Sequence, residues 1–187
     1  MNIIVGISGA SGVIMGRHLL SALKGFPEVK THLIITEEAE INFELERAGA
    51  VTEAKALADC IYDNADFAAP VASGSFEAAG MIVIPCSMKT VAGIACGYSE
   101  NLLLRAADVT LKESRPLVLA PREMPFSKLH LRNLWTAADC GATIIVPALT
   151  FYNGADTVEK QIDHVVGKIL QRFGLKYERF RPWEKAG

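Results

Sequence analysis

Short apolar runs alternate with longer amphipathic stretches along the whole chain. Five of these runs predict strands, because short apolar or β-branched segments bounded by turn residues are typical of buried strands. They cover residues 2–7, 31–36, 81–84, 116–120 and 142–146. Apolar residues at helical spacing predict helices in the other stretches, at about 13–25, 37–46, 52–59, 91–96, 101–113, 127–140 and 157–173.

The alternation of strands and helices predicts the fold class. Parallel strands joined by helices form a sheet that is covered on both faces, so we expect a single doubly wound α/β domain over residues 1–187. No internal repeat or linker interrupts the pattern. Residues 63–75 are rich in Pro, Gly, Ser and Ala and predict a loop, which at this length is usually functional or interfacial.

Three predicted strand ends carry glycine, hydroxyl or cationic side chains, at 8–12, 85–90 and 121–125. The carboxyl ends of parallel strands meet at one edge of the sheet, where ligands bind in folds of this class. The first of these turns, with glycines at 6, 9 and 12, does not match the dinucleotide pattern G-x-G-x-x-G. Ser8 and Ser11 add hydroxyl groups beyond what a structural turn needs, although tight strand-to-helix turns use glycine in any case. The composition favours an anionic, flat ligand such as a mononucleotide cofactor.

Arg122 and Glu123 follow the fourth predicted strand directly, between two prolines. An adjacent arginine and glutamate at a strand end suggest an anion clamp beside a proton-transfer group, and the alternative is a surface salt bridge in a turn. Arg105, Asp108 and Lys112 fall on one face of the predicted helix 101–113. On the residues alone, that face is an exposed stripe of ion pairs.

The composition of the chain argues against several classes of partner and site. A formal net charge of −2 over 187 residues leaves no field that attracts nucleic acid or an anionic membrane. The mean hydropathy of +0.24 is high for a soluble monomer of this size and predicts a homo-oligomer. The four cysteines and four histidines are dispersed, so neither a metal site nor a disulfide framework is expected, and a lone histidine such as His130 is more often structural. With no basic leader, and no apolar stretch of the roughly 18 residues that a membrane span needs, a cytoplasmic protein is expected.

Several motifs occur together in a characteristic order from residue 2 to residue 183. They are G-x-S-G-A-S-G at 6–12, A-S-G-S at 72–75, P-C-S-M-K-T at 85–90, R-A-A-D-V-T-L-K-E at 105–113, P-L-V-L-A-P-R-E-M-P at 116–125 and Phe151-Tyr152. This set resembles the flavin prenyltransferase family of the UbiX/Pad type, long described as aromatic acid decarboxylases or their small subunits. The resemblance implies a flavodoxin-like Rossmann fold, bound FMN, and a homododecamer with active sites at subunit contacts.

The resemblance also implies a metal-independent reaction. Reduced FMN is alkylated at N5 by dimethylallyl monophosphate, and ring closure onto C6 gives prenylated FMN, which serves a UbiD-type decarboxylase. The sequence leaves open which decarboxylase or aromatic acid pathway is served, and whether the donor is the monophosphate or the diphosphate.

Position by position, the resemblance implies roles for residues of this chain. Those expected to bind FMN are Gly9, Ala10, Ser11, Thr36, Ser87, Met88, Lys89, Thr90 and Arg122. Those expected to hold the prenyl phosphate are Arg105, Lys112, Arg122, Tyr152, Lys168 and Trp183, and the implied catalytic residues are Ser11, Glu46, Lys112 and Glu123. Lys168 departs from the many members with arginine there, and lysine keeps the charge but loses the bidentate fork.

Two alternatives come from other classes. The first is FMN-dependent decarboxylation, as in related cysteine-decarboxylating flavoproteins, which use oxidised flavin and a catalytic histidine in an early helix. This chain has only His18 there, and the sequence shows no supporting neighbours for it. The second is a non-catalytic, flavin-carrying subunit of an aromatic acid decarboxylase, against which the retention of Lys112, Arg122, Glu123 and Tyr152 argues.

Overall fold

The computed structural model describes residues 1–183, and its centre is a sheet of six strands. The strands are β1 (Asn2–Ile7), β2 (Lys30–Ile35), β3 (Cys60–Tyr62), β4 (Gly80–Cys86), β5 (Leu117–Pro121) and β6 (Ala142–Ile144). The helices of this part of the chain are α1 (Ile14–Leu23), α2 (Glu37–Glu46), α3 (Ala50–Leu57), α4 (Met88–Cys96), α5 (Leu102–Lys112), α6 (Lys128–Asp139) and α7 (Val158–Gln171). None of the helices in residues 1–183 is long and apolar enough to cross a bilayer.

The strands lie in the order β3-β2-β1-β4-β5-β6, and every neighbouring pair is parallel. The chain winds outward from β1 to β3 and then crosses back to β4 on the other side of β1. The direction of winding therefore reverses between β1 and β4, where the connections diverge and leave a crevice at the carboxyl edge. This is the predicted doubly wound α/β fold of the flavodoxin-like and Rossmann type.

Both faces of the sheet are covered, which is why the strands are almost continuously apolar. On one face, Ile3, Val5 and Ile7 of β1 belong to a buried cluster that includes side chains of α1 and α7. On the other face, Ile4 and Val83 belong to a second cluster with side chains of α4 and α5. Successive residues of a strand point to opposite faces, so the four inner strands β2, β1, β4 and β5 contribute to both clusters.

The five predicted strands are present, with the last ending at Ile144 rather than at residue 146. The strand β3 was not predicted. It has three residues at the edge of the sheet and follows α3 almost directly, so it is too short to show a periodic pattern. Helix α4 begins at Met88, three residues before the predicted start, because the side chain of Ser87 caps it.

The predicted loop at 63–75 is held through its backbone carbonyl groups to α5 and to the turn before β5. The guanidinium of Arg115 donates to the carbonyl oxygens of Gly74 (2.9 Å) and Phe76 (2.7 Å). Nε of Arg105 donates to the carbonyl oxygen of Ala72 (3.1 Å). These arginines satisfy carbonyl groups that a loop without regular structure would otherwise leave unpaired.

Gly16 of α1 marks the closest approach of that helix to the sheet. A Cβ there would lie 2.6 Å from Cδ1 of Ile7 and 2.7 Å from the carbonyl oxygen of Ile84. We expect Gly16→Ala to lower the free energy of unfolding by roughly 1–3 kcal/mol, because overpacking against the sheet outweighs the better helix propensity of alanine. Ser21→Ala, on the exposed side of α1, is the control and should change stability by less than about 0.5 kcal/mol. Urea titration at fixed protein concentration measures both, and a Gly16→Ala protein as stable as its parent would contradict the close packing.

Candidate functional site

A cavity of about 490 Å³ lies along the carboxyl edge of the sheet. We term it the edge cleft. Its lining includes seven residues that the sequence predicted for cofactor binding or catalysis, namely Gly9, Thr36, Ser87, Met88, Lys89, Thr90 and Glu123. The structure thus brings most of the predicted FMN-binding residues to one place, at the switch point between β1 and β4.

Ser8 fastens the two loops of the edge cleft to each other. Its buried hydroxyl donates to the carbonyl oxygen of Pro85 (3.2 Å) and accepts from the backbone N–H of Ser87 (2.8 Å). The loop after β1 is thereby tied to the loop after β4. The sequence suggested that this hydroxyl exceeded the needs of a structural turn, and that interpretation was wrong for Ser8, because the protein itself uses the group.

Two close contacts shape the loop between β1 and α1. A Cβ on Gly9 would lie 2.4 Å from Cβ of Glu38, so glycine is required where the loop passes α2. The N–H of Gly12, with a φ of +94°, donates to Oε1 of Glu46 (2.7 Å). Ser11 is exposed and adjacent to this contact. The predicted catalytic pair of Ser11 and Glu46 therefore lies at one end of this loop, next to the buried Ala10.

Helices α2 and α4 begin at the edge cleft. Thr36 caps α2 by accepting from the N–H of Ala39 (3.3 Å), and Ser87 caps α4 by accepting from the N–H of Thr90 (3.2 Å). Each cap satisfies one backbone donor of the first helical turn and leaves others available. The helix dipoles add positive potential at the same ends, so this part of the cleft suits an anionic group.

The edge cleft also carries side-chain charge of both signs. Nζ of Lys89 lies 2.7 Å from Oε1 of Glu38. This hydrogen bond holds the pKa of Glu38 below its ordinary value and raises the pKa of Lys89. Glu100 and Glu123 line the cleft as well. The sequence did not single out Glu38, because it belongs to an acidic run that was interpreted as a solvated helix face.

Arg122 and Glu123 lie at the carboxyl end of β5, as predicted. Glu123 lines both the edge cleft and a neighbouring cavity of about 470 Å³, and Arg122 lines the second cavity. Oε1 of Glu123 accepts from the N–H of Met124 (3.0 Å). In the part of the chain that the structure describes, no ion pair joins Arg122 to Glu123, so a surface salt bridge does not explain their adjacency.

Lys112 lies away from the edge cleft within a single chain. Asn101, which caps the amino end of α5, lines the cleft, and Lys112 is the last residue of the same helix. The 11 residues of α5 span roughly 16 Å, at about 1.5 Å per residue. Lys112 is therefore about one helix length from the cleft that Glu123 lines.

The charged face of α5 is only partly an ion-pair stripe. Arg105 pairs with Asp108 (2.7 Å), whereas Lys112 pairs with Glu113 and lies beside Gly74 of the loop. Arg105 and Lys112 thus both lie on the α5 side of the molecule, together with the A-S-G-S motif. The single chain does not bring them to Arg122.

A further group of residues gathers around α7, and we term it the tail cluster (Tyr152, His164, Lys168, Phe180 and Trp183). The rings of Tyr152 and Trp183 meet edge to face, with 5.0 Å between their centroids. Nζ of Lys168 lies 5.5 Å from the centroid of Phe180, in a cation–π contact. The structure therefore brings Tyr152, Lys168 and Trp183 together. His164 and Phe180 were not predicted, because their role depends on the chain after α7 folding back onto that helix.

His18 has partners that the sequence did not reveal. Its Nε2 lies 3.0 Å from Oδ1 of Asp163 in α7, and Tyr177 donates to the same oxygen (2.6 Å). The prediction that His18 has no supporting neighbours was wrong, because Asp163 is 145 residues further along the chain. Neither cavity at the carboxyl edge is lined by His18, which instead links α1 to α7.

His130 is structural, as interpreted from the sequence. Its N–H donates to Oγ of Ser127 (3.1 Å), and its Nδ1 accepts from the N–H of Ser127 (3.3 Å), which caps α6. Within residues 1–183, no group of three or more His, Cys, Asp or Glu side chains is arranged to hold a metal ion.

Comparison with known proteins identifies the family to which the chain belongs. The family model described as Flavoprotein matches residues 1–174. A UbiX-like flavin prenyltransferase of Sedimentibacter hydroxybenzoicus is 57% identical over 184 residues, which cover 98% of this chain and 97% of that protein. The crystal structure of a dodecameric FMN-dependent UbiX-like decarboxylase from Escherichia coli O157:H7 matches with a TM-score of 0.96 at 47% identity, covering 99% of this chain and 100% of that one. A structure of AnUbiX (PadA1) in complex with FMN and dimethylallyl pyrophosphate matches with a TM-score of 0.96 at 43% identity, covering 100% and 98%.

A doubly wound sheet with capped helix starts at its switch point defines a mononucleotide-binding α/β protein, and the family model makes that class the flavoproteins. Within this class, the chain belongs to the UbiX-type flavin prenyltransferase family. The resemblance drawn from the ordered motifs is confirmed.

Glu38 places a negative charge against Lys89 in the edge cleft. We expect Glu38→Gln to tighten FMN binding by roughly three- to tenfold, since it frees Lys89 and removes a charge of the same sign as the ligand. Glu37→Gln changes the net charge by the same amount at the same helix end, but Glu37 does not line the edge cleft, so it is the matched control. Calorimetric titration at low and high salt measures both, and the difference should shrink as salt screens the charges. Equal affinities of the two variants would show that Glu38 does not oppose the ligand.

Proposed function

We propose that this protein is a flavin prenyltransferase, which joins the dimethylallyl group of dimethylallyl monophosphate to N5 and C6 of reduced FMN and yields prenylated FMN. One observation carries the proposal. The edge cleft for an anionic mononucleotide and the tail cluster with its cation and aromatic rings occur together in this chain. A protein of the same fold, 43% identical over the whole chain, is described in complex with FMN and dimethylallyl pyrophosphate.

FMN, as the prenyl acceptor, would lie in the edge cleft. Gly9 lines the cleft and lets its loop pass close to α2, and Ser11 adds an exposed hydroxyl. The backbone N–H groups at the start of α4, from Met88 to Thr90, suit the phosphate. Arg122, exposed after the end of β5, would supply a cation at the rim. Thr36 and Ser87 would act mainly through the helices that they cap.

The prenyl phosphate would be held between Arg122 and the tail cluster. Cleavage of the allylic C–O bond leaves the electron pair on phosphate and spreads positive charge over the prenyl group. Cations placed where the phosphate charge develops lower the barrier, and Lys168 with the hydroxyl of Tyr152 is suited to this role. The rings of Tyr152 and Trp183 offer aromatic surface to the allylic cation. Because lysine lacks the arginine fork, we expect Lys168 to bind phosphate as a point charge.

N5 of the reduced flavin would take the prenyl group from phosphate and lose its own proton. Ring closure would then join C6 to the tertiary carbon of the prenyl unit, with one proton added to the neighbouring alkene carbon and the proton on C6 lost. Glu123 lines both cavities of the carboxyl edge and is the carboxylate best placed to move a proton between flavin and phosphate. Ser11 and Glu46, which lie near Gly12 in the loop between β1 and α1, would support ring closure. Holding both reactants in one closed site makes each bond formation effectively intramolecular.

The site would be completed by assembly. Lys112 lies at the end of α5 away from the edge cleft, and Arg105 is held by the carbonyl oxygen of Ala72 and by Asp108, so a neighbouring subunit would supply both cations. Helix α6 exposes large apolar side chains that suit such contacts, with Leu129 63% and Trp135 67% exposed in the single chain. A homododecamer is the proposed state, as described for the Escherichia coli relative. The product would pass to a UbiD-type decarboxylase.

Direct decarboxylation is the second candidate, since the Escherichia coli relative is described as an FMN-dependent decarboxylase. The position of His18 argues against a histidine-based version of that reaction, because Asp163 holds it outside the edge cleft. A non-catalytic flavin carrier would have no use for the cation and rings of the tail cluster.

Anaerobic incubation with reduced FMN and dimethylallyl monophosphate, followed by mass spectrometry, tests the proposal. The flavin should become heavier by one prenyl unit. Glu123→Gln should still bind FMN but lose turnover by roughly 100-fold or more, the usual worth of a general acid–base group. Glu28→Gln, at an exposed position away from the cleft, is the control and should behave as the parent. An unchanged flavin with loss of CO₂ from an aromatic acid would favour the decarboxylase, and full turnover by Glu123→Gln would remove the proposed proton-transfer role.

A further inference from the structure

His164 joins three parts of the tail cluster. It lies on α7 and is 7% exposed. Its Nδ1 lies 3.0 Å from Nδ2 of Asn153, in the loop that carries Tyr152. Its ring contacts the ring of Tyr152 (5.8 Å between centroids) and that of Phe180 (5.1 Å), which belongs to the chain after α7. One imidazole therefore touches both segments that present aromatic groups to the proposed prenyl donor.

The hydrogen bonds fix the protonation state of this histidine. Oδ1 of Asn153 accepts from the N–H of Ala155 (3.1 Å), so the NH₂ group of Asn153 must face His164. Nδ1 of His164 is then an acceptor, and the proton sits on Nε2, which can donate to the backbone of Arg181. Both nitrogens of the neutral ring are used. A second proton on Nδ1 would put two donors against each other.

The surrounding charges favour the neutral ring. Burial and the charge of Lys168 lower the pKa of His164, against a smaller raising effect of the hydrogen bond to the backbone of Arg181. The charged groups that share the adjoining cavity of about 470 Å³ are Lys160 and Asp163 from α7 and Glu178, Arg179 and Arg181 from the tail. Asp163 is occupied by His18 and Tyr177, and Lys160 pairs with Asp156. No carboxylate therefore contacts the ring of His164 in the part of the chain that the structure describes.

We propose that neutral His164 is a positioning residue that docks the 152–155 loop and the 175–183 tail on α7, and thereby sets Tyr152 and Trp183 around the prenyl donor. Its effect on catalysis rests on the proposed function, whereas the docking itself does not. Protonation of His164 would force the amide of Asn153 to turn and lose its hydrogen bond from the N–H of Ala155, or would push the loop away from α7.

The direction of the pH effect follows from the lowered pKa. A histidine with a lowered pKa contributes its full stabilisation of the docked tail at pH values above its ordinary pKa of 6.5. The contribution is lost as the pH falls from there through the lower folded-state value, because the undocked form binds the extra proton more readily. The tail should therefore undock as the pH falls below the ordinary pKa of histidine and through the lowered pKa of His164.

Hydrogen exchange of the 175–183 peptide, corrected for intrinsic rates, tests docking without any substrate. At about pH 7.5, His164→Phe keeps an aromatic ring but loses both hydrogen bonds, and the peptide should exchange roughly tenfold faster than in the parent. The parent should approach that rate as the pH falls well below 6.5, the ordinary pKa of histidine, and His164→Phe should show no such change. His32→Gln alters another buried histidine, on β2 far from the tail, and should leave the peptide as in the parent.

Asn153→Asp makes the test specific. A carboxylate at this position would prefer the imidazolium, so docking should now persist at acid pH and weaken on the alkaline side of the shifted pKa. A structural role without the proposed hydrogen bond would not reverse the pH dependence. Unchanged exchange in His164→Phe, or the same acid response in Asn153→Asp as in the parent, would overturn the docking.

Kinetics test the consequence for catalysis. In His164→Phe, KM for dimethylallyl monophosphate should rise roughly five- to tenfold, with the Kd for FMN unchanged, because the edge cleft is intact. An unchanged KM in a variant whose tail has undocked would overturn the positioning role. If the parent forms no prenylated flavin at all, the proposed function fails, and the exchange measurements still decide the docking.

Discussion

The crevice between β1 and β4 is the constraint on which the rest of this structure depends. Crossovers from these two strands leave in opposite directions, so their loops would separate unless something tied them together. The buried hydroxyl of Ser8 does so, with one bond to Pro85 and one to Ser87. That tie holds the loop before α1 beside the start of α4. The missing side chains of Gly9 and Gly16 let this loop pass close to α2 and let α1 pack close to the sheet.

The same topology explains why the candidate site is divided. Helix α5 returns antiparallel to the strands, so its first residues reach the cleft and its last, Lys112, lies at the opposite end. The tail cluster is built on α7, which covers the other face of the sheet from α5. A single chain therefore offers the edge cleft, the tail cluster and a displaced set of cations. A symmetric assembly can bring these surfaces together, because each subunit presents all three.

The sequence predicted the fold and the location of the cleft well, because both follow from local patterns. Apolar runs and glycine-rich strand ends such as 8–12 are visible along the chain, and parallel topology places their ends at one edge. The short strand β3 was not predicted, because three residues are too few to show a period-two alternation of apolar and polar positions. Partnerships between distant segments were also invisible, as with Asp163 for His18 and Glu38 for Lys89. The role of Ser8 was misjudged for the same reason, since its partners lie on β4 and the loop after it.

Mixed oligomers test most directly whether one site draws on more than one subunit. Lys112→Ala and Glu123→Gln subunits, carrying different affinity tags, would each be inactive in prenylated-FMN formation as homo-oligomers. Co-assembled at equal amounts and purified through both tags, they should recover up to about a quarter of the parental rate, since random mixing pairs an intact Lys112 with an intact Glu123 at that frequency. Mixed oligomers that form normally but stay as inactive as the two homo-oligomers would contradict a site shared between subunits.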